Sequence, residues 1–214
     1  MEMGYAVPEL KSTVFIVDDD LSVRESLELL LGSVGLDVKT YPSAEEFLKG
    51  VAPGASGCLI TDLRMPGMSG LDLQERCAHA GIFLPIIFIT GHGTVPMSVR
   101  AMKAGAIDFL EKPFEEQDLL KAINRAIERD RQAIQERDEL GKIQQLVDAL
   151  SPREYEVFAL LVAGMSNKQV AYKLGTSERT IKAHRSRIME KMHAGSFADL
   201  ARYAEKLNLS RPQH

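Results

Sequence analysis

The chain has 214 residues, 45% of them hydrophobic, with 26 basic and 30 acidic side chains for a formal net charge of −4. That length suits one large domain or two modest ones with real cores; it excludes a disordered chain, a collagen-like repeat and a disulfide-stapled miniprotein. Taken alone, the negative balance also argues against a nucleic-acid binder.

The charge is unevenly spread. Residues 1–125 hold 11 basic and 18 acidic side chains, a balance of −7, and residues 126–150 hold 4 and 6, a balance of −2. Residues 151–214 hold 11 and 6, a balance of +5. Such asymmetry points to a nucleic-acid-binding domain at the C-terminal end. No run approaches the ~18 consecutive apolar residues of a membrane-spanning helix, and no basic-then-apolar leader opens the chain. Cys58 and Cys77 have neither metal-ligand nor CxxC spacing. A cytoplasmic protein with no membrane partner is expected.

From the N-terminus, β-branched-rich runs at Thr13–Val17, Gly57–Thr61 and Ile86–Thr90 predict buried parallel strands, with shorter candidates at Asp37–Tyr41 and Ile107–Leu110. Helical patterns lie between them, two opening on capping-box signatures, Ser22-Val-Arg-Glu25 and Ser43-Ala-Glu-Glu46. The alternation predicts an α/β doubly wound five-stranded parallel sheet over residues 1–126. A charged helical stretch follows to Leu150, with its apolar spacing broken between Ile134 and Leu140 and with a glycine at 141, and the linker is assigned to residues 127–150. It is either a short dimeric coiled coil or a solvated connecting helix packing only its first turns. Ser151-Pro152-Arg153-Glu154 opens a new helix with an N-cap, a proline and an acid in the first turn. From there residues 151–214 read as a small all-α domain.

In an open parallel sheet, ligands bind beyond the carboxyl ends of the strands. Those ends here carry Asp18-Asp19-Asp20, Asp62, Thr90 and Lys112. Carboxylates converging without a cation repel one another, and a hard divalent ion with oxygen ligands relieves the repulsion. Asp18 and Asp19 are therefore candidate Mg²⁺ residues, and Asp62 is both metal ligand and phosphoryl acceptor. Lys112 would bring positive charge to a transferred phosphoryl group, and the Thr90 hydroxyl would hydrogen-bond an acyl-phosphate oxygen. Asp20 is read as a helix cap instead.

These residues lie in Ile-Val-Asp-Asp-Asp, Ile-Thr-Asp-Leu-Arg-Met-Pro-Gly-Met-Ser-Gly, Ile-Thr-Gly-His-Gly and Phe-Leu-Glu-Lys-Pro-Phe. In order and spacing they resemble the flavodoxin-like receiver domain of bacterial two-component response regulators over roughly residues 12–130. The resemblance implies phosphorylation of Asp62 by a partner histidine kinase, and Mg²⁺ held by Asp18, Asp19, Asp62 and the backbone carbonyl of Arg64. It also implies a switch pair, Thr90 and Phe109, for which core packing is the plainer role of Phe109. His92 lies close enough to Thr90 to influence phosphate loss, although a histidine in a Gly-His-Gly loop is more often simply exposed. Arg100 and Lys103 are candidates for pairing with Asp108, Glu111 or Asp118 of a twin subunit.

In the basic third, Ser166–Gly175 reads as a short helix ended by glycine, and Thr176-Ser177 caps a second helix, Glu178–Lys191. The pair fits a DNA-binding helix-turn-helix. Ile181, Ile188 and Met192 share its buried face. Lys182, Ala183 and Ser186 are the base-edge candidates, while Asn167, Lys168, Arg179, Thr180, Arg187 and Lys191 suit phosphates. His184 is assigned to packing, and Arg185 is ambiguous. Together with Leu150-Ser-Pro-Arg-Glu-Tyr-Glu-Val, these segments resemble the LuxR-type helix-turn-helix domain, departing from it after Lys191. The two halves together resemble a regulator of the FixJ/NarL type. That implies a phosphorylation-switched transcription activator that is a homodimer when phosphorylated and has a sensor histidine kinase, double-stranded promoter DNA and RNA polymerase as partners. It would be no enzyme beyond phosphoryl acceptance and loss at Asp62. One alternative is a Mg²⁺-dependent phosphohydrolase of the haloacid-dehalogenase type using Asp18 and Asp20. Another is DNA binding that ignores phosphorylation.

Overall fold

The computed structural model describes residues 12–91 and 95–209. His92, read either as simply exposed or as influencing phosphate loss, lies outside them. Five strands, β1 (Thr13–Val17), β2 (Asp37–Tyr41), β3 (Gly57–Asp62), β4 (Ile86–Thr90) and β5 (Asp108–Glu111), form one parallel sheet in the order β2-β1-β3-β4-β5. Strand β5 starts one residue later than its pattern suggested, because Ile107 leads in by donating its N–H to the Ile86 carbonyl at 2.7 Å.

Period-two alternation sends successive strand residues to opposite faces. Val14, Ile16, Ile60, Ile87 and Ile89 pack with Leu27 and Leu31 of helix α1 (Leu21–Ser33) and with Leu119, Ile123 and Ala126 of α5 (Glu116–Asp148). Phe15, Val17, Leu59 and Phe88 face the other way. They pack with helix α2 (Ala44–Gly50) through Phe47, α3 (Gly70–His79) through Leu73, and α4 (Val95–Lys103) through Ala101.

Asp20 is the N-cap of α1, as expected of it, its side chain accepting the Ser22 N–H at 2.8 Å; the capping-box signature opening at Ser22 does not supply the cap. Ser43 caps α2 as anticipated, accepting from Glu46 N–H at 3.2 Å.

Helix α5 runs unbroken through Gly141. At Asp130 it carries a buried carboxylate whose Oδ2 accepts the Ser56 hydroxyl and the Gly57 N–H, both at 2.8 Å, at the amino end of β3. Gly57 has φ +133, and a Cβ there would lie 1.9 Å from the Thr13 carbonyl oxygen. The chain divides into two compact units between Ala133 and Ile134. The second contains α6 (Pro152–Val162), α7 (Asn167–Lys173), α8 (Glu178–Lys191) and α9 (Phe197–Lys206). Val147 and Leu150 are buried in its core with Phe158, Leu161, Val170, Ile181, Ile188, Met192 and Leu200. The last turns of α5 are thus part of the helical core; the exposed stretch of that helix is residues 135–142.

Candidate functional site

The parallel order brings the carboxyl ends of β1, β3, β4 and β5 to one edge, as a ligand-binding sheet requires. An open cleft of about 380 Å³ lies there, lined by Asp18, Asp19, Asp20, Asp62, Arg64, Thr90 and Lys112. One carboxylate oxygen each from Asp18, Asp19 and Asp62 falls within 4.8 Å of the others, and among the described residues no other acidic group clusters so. Asp18 is buried and Asp19 exposed. Burial pushes the Asp18 carboxyl above its ordinary value, opposed chiefly by its hydrogen bond from Lys112. Lys112 Nζ stands 2.9 Å from Asp18 Oδ2 and 3.6 Å from Asp62 Oδ2. The Asp20 N–H donates to Asp18 Oδ1 at 2.9 Å, and the Arg64 N–H to Asp62 Oδ1 at 3.1 Å. Three anionic oxygens against one ammonium form a donor set that fits a small hard cation.

Thr90 is buried at the end of β4, where its carbonyl accepts the Lys112 N–H at 2.8 Å. Phe109 is half-buried on β5, its ring centroid 6.4 Å from that of Phe88. Gly70 was not legible as a site residue: a Cβ there would meet the Asp62 carbonyl oxygen at 2.3 Å, so only glycine lets α3 abut the strand end that carries Asp62. Asp20 also lines the cleft, but its side chain accepts the Ser22 N–H as a helix cap and is not one of the three grouped carboxylates.

In the second unit α7 and α8 meet through a tight turn at Gly175 (φ +63), and Ser177 caps α8. Arg179, Thr180, Lys182, Ala183, Ser186 and Arg187 are exposed on α8, as is Lys168 on α7, while Asn167 is half-buried. Arg185 lies over the Phe197 ring at 5.2 Å, which makes it a packing residue. Lys191 is also exposed on α8, and its ammonium is held by Glu154 Oε2 at 2.7 Å and by the Ala149 carbonyl at 3.3 Å, tying α8 to the start of α6. Arg100 likewise pairs within the chain, with Glu75 at 2.8 Å, and Asp108 pairs with Arg125.

Residues 14–124 match the family described as response regulator receiver domain, and residues 148–204 the bacterial regulatory proteins of the luxR family. The chain belongs to the two-component response regulators. Nodulation protein W of Bradyrhizobium diazoefficiens is 48% identical over 97% of this chain and 91% of its own length. The transcriptional regulatory protein FixJ of Rhizobium meliloti is 47% identical over 90% and 94%. Among solved structures, response regulator StyR superposes with a TM-score of 0.81 at 49% identity, covering 92% of this chain and 99% of that one. Full-length FixJ from B. japonicum follows the same fold, with a TM-score of 0.56 at 40% identity over 93% and 98%. This response regulator is therefore a receiver joined to a LuxR-type DNA-binding domain, in a family of transcriptional regulators of two-component systems. Among its described residues no helix is long and apolar enough to cross a membrane.

Proposed function

We propose that this regulator is a cytoplasmic transcription activator switched by a phosphoryl group on Asp62. The observation that carries the reading is the convergence of Asp18, Asp19 and Asp62 with Lys112 at the carboxyl edge of the sheet. An Asp62 carboxylate oxygen attacks the phosphorus carried by a sensor kinase histidine, the P–N bond breaks, and an acyl phosphate forms. Water later returns the carboxylate. Asp18, Asp19, Asp62 and the Arg64 carbonyl would hold Mg²⁺, which supplies charge neutralisation for the phosphoryl oxygens. Lys112 contributes a second positive charge from its place beside Asp62. The Thr90 hydroxyl donates to a phosphoryl oxygen, and Phe109 turns inward behind it.

The modified receiver forms a homodimer through the face of α4, β5 and α5. Val95, Val99 and Met102 support this: they lie exposed at i, i+4 and i+7 along α4. Pairing two DNA-binding domains raises affinity by effective concentration. Lys182, Ala183 and Ser186 read base edges, and Asn167, Lys168, Arg179, Thr180 and Arg187 contact phosphates of promoter DNA, where the dimer engages RNA polymerase.

Replacing Asp62 by Asn tests this. Treated with a purified kinase or a small acyl-phosphate donor, wild type should gain promoter affinity by ten-fold or more, whereas Asp62→Asn should gain none. An Asp62→Asn protein that still dimerises and binds in response to the donor would overturn the switch.

A further inference from the structure

We propose that Arg24 is the residue that positions the metal-binding aspartate pair. Its guanidinium Nη1 donates to the backbone carbonyl of Asp18 at 2.7 Å, reaching back six residues from the first turn of α1. That carbonyl belongs to the peptide joining Asp18 to Asp19, so one hydrogen bond fixes the plane from which both carboxylates depart. The Asp18 side chain has other restraints, from Lys112 and the Asp20 N–H. Asp19 is exposed and takes its direction from the backbone. The loop is closed on its other side by the Asp20 cap and by the Arg24 N–H, which donates to the Asp20 carbonyl at 3.1 Å. Arg24 thus ties the end of β1 to the start of α1 at the point where the acidic pair emerges.

Two effects of Arg24 on a bound cation oppose each other. Its positive charge near the cluster repels Mg²⁺, so removing it would tighten binding. Its orientation of the peptide brings the ligands together, so removing it would loosen binding. The cleft is open to solvent and screens charge, whereas Mg²⁺ tolerates little departure from its preferred geometry. Orientation prevails, and groups that orient metal ligands commonly govern affinity by ten-fold or more. The inference rests on the reading of the cleft as a Mg²⁺ site.

The test is calorimetric titration of the full-length, unphosphorylated chain with MgCl₂, together with its thermal midpoint without Mg²⁺. Arg24→Ala should weaken Mg²⁺ binding about ten-fold while leaving the metal-free midpoint within a few degrees of wild type. Phosphorylation by acetyl phosphate should be slowed at low Mg²⁺ and restored at saturating Mg²⁺. Arg24→Lys keeps the charge and a single donor, guards against a misfolded alanine variant, and should fall between the two. Mg²⁺ affinity equal to or tighter than wild type in both variants overturns the inference. A lowered metal-free midpoint with unchanged affinity also overturns it, leaving Arg24 a merely structural residue. Wild type that takes up no Mg²⁺ overturns the cleft reading and this inference with it.

Discussion

Glu154 is the most strongly perturbed carboxylate of the DNA-binding unit. Its side chain accepts from Lys191 Nζ at 2.7 Å and from the Ser151 N–H at 2.8 Å, and these bonds, led by Lys191, hold its pKa down to about 2. Because the folded value lies below the unfolded one, the stabilisation is fully present above the ordinary carboxylate value near 4.3 and is lost as pH falls towards about 2. Glu154→Gln should abolish that part of the acid sensitivity and cost roughly 1 kcal/mol at neutral pH through the weakened cap. Thermal melts from pH 7 to 2.5 check it; identical pH curves for variant and wild type would show that the pair is without effect. Residue identities at the cleft were legible because chemistry constrains them: few arrangements explain carboxylates, a threonine and a lysine at four strand ends. Lys191 and Arg100 were not, because a helical wheel gives the face a side chain occupies but not the partner that another helix brings to it. Arg24 escaped notice for the same reason, since its acceptor is a backbone carbonyl that sequence does not display.

Elements announced themselves through period and punctuation. Three of the strand runs and helix α8 lie where their patterns put them, and Ser43, Ser151 and Ser177 cap the helices expected of them. One error fell where two cap signals overlapped: Asp20, not Ser22, caps α1. Helix α5 passes through Gly141 without a break. A helix-interior glycine costs only about 1 kcal/mol, too little to end a long helix. At the start of β3, close packing forbids what sequence alone would permit. Gly57→Ala sets a Cβ against the Thr13 backbone and should destabilise the receiver by more than about 3 kcal/mol, beyond ordinary overpacking. Gly54→Ala, also at positive φ (+77) but with nothing within 4 Å, should cost only about 1 kcal/mol of backbone strain. Denaturant unfolding of the two variants separates the effects; equal losses would refute the steric account.

For the whole molecule, the net charge of −4 conceals opposite demands. The acidic receiver gathers carboxylates that call for a cation, and the basic domain presents a helix face suited to an anionic polymer. Promoter affinity should therefore fall steeply with salt despite the negative total. Lys168→Ala should lower the slope of log K against log salt by about 0.9, uniformly across DNA sequences. Lys182→Ala should in addition relax base preference, measurable by binding titrations on specific and unrelated duplexes from 50 to 200 mM salt. An unchanged slope in Lys168→Ala would remove that residue from the phosphate contacts. The two-part architecture was legible from charge and motif order, whereas the sharing of α5 between both units was not, because its buried residues are split between two cores. One consequence lies in the buried Asp130. Apolar packing alone lets a helix roll or slide within the slack of its neighbours, but a carboxylate gripped by two directional donors does not. The receiver's last helix is therefore indexed like a keyed shaft. Its keyway is cut at the amino edge of the sheet, opposite the edge that carries Asp62, so the axial and rotational setting of α5 is referenced to the side of the sheet away from the three-carboxylate cluster.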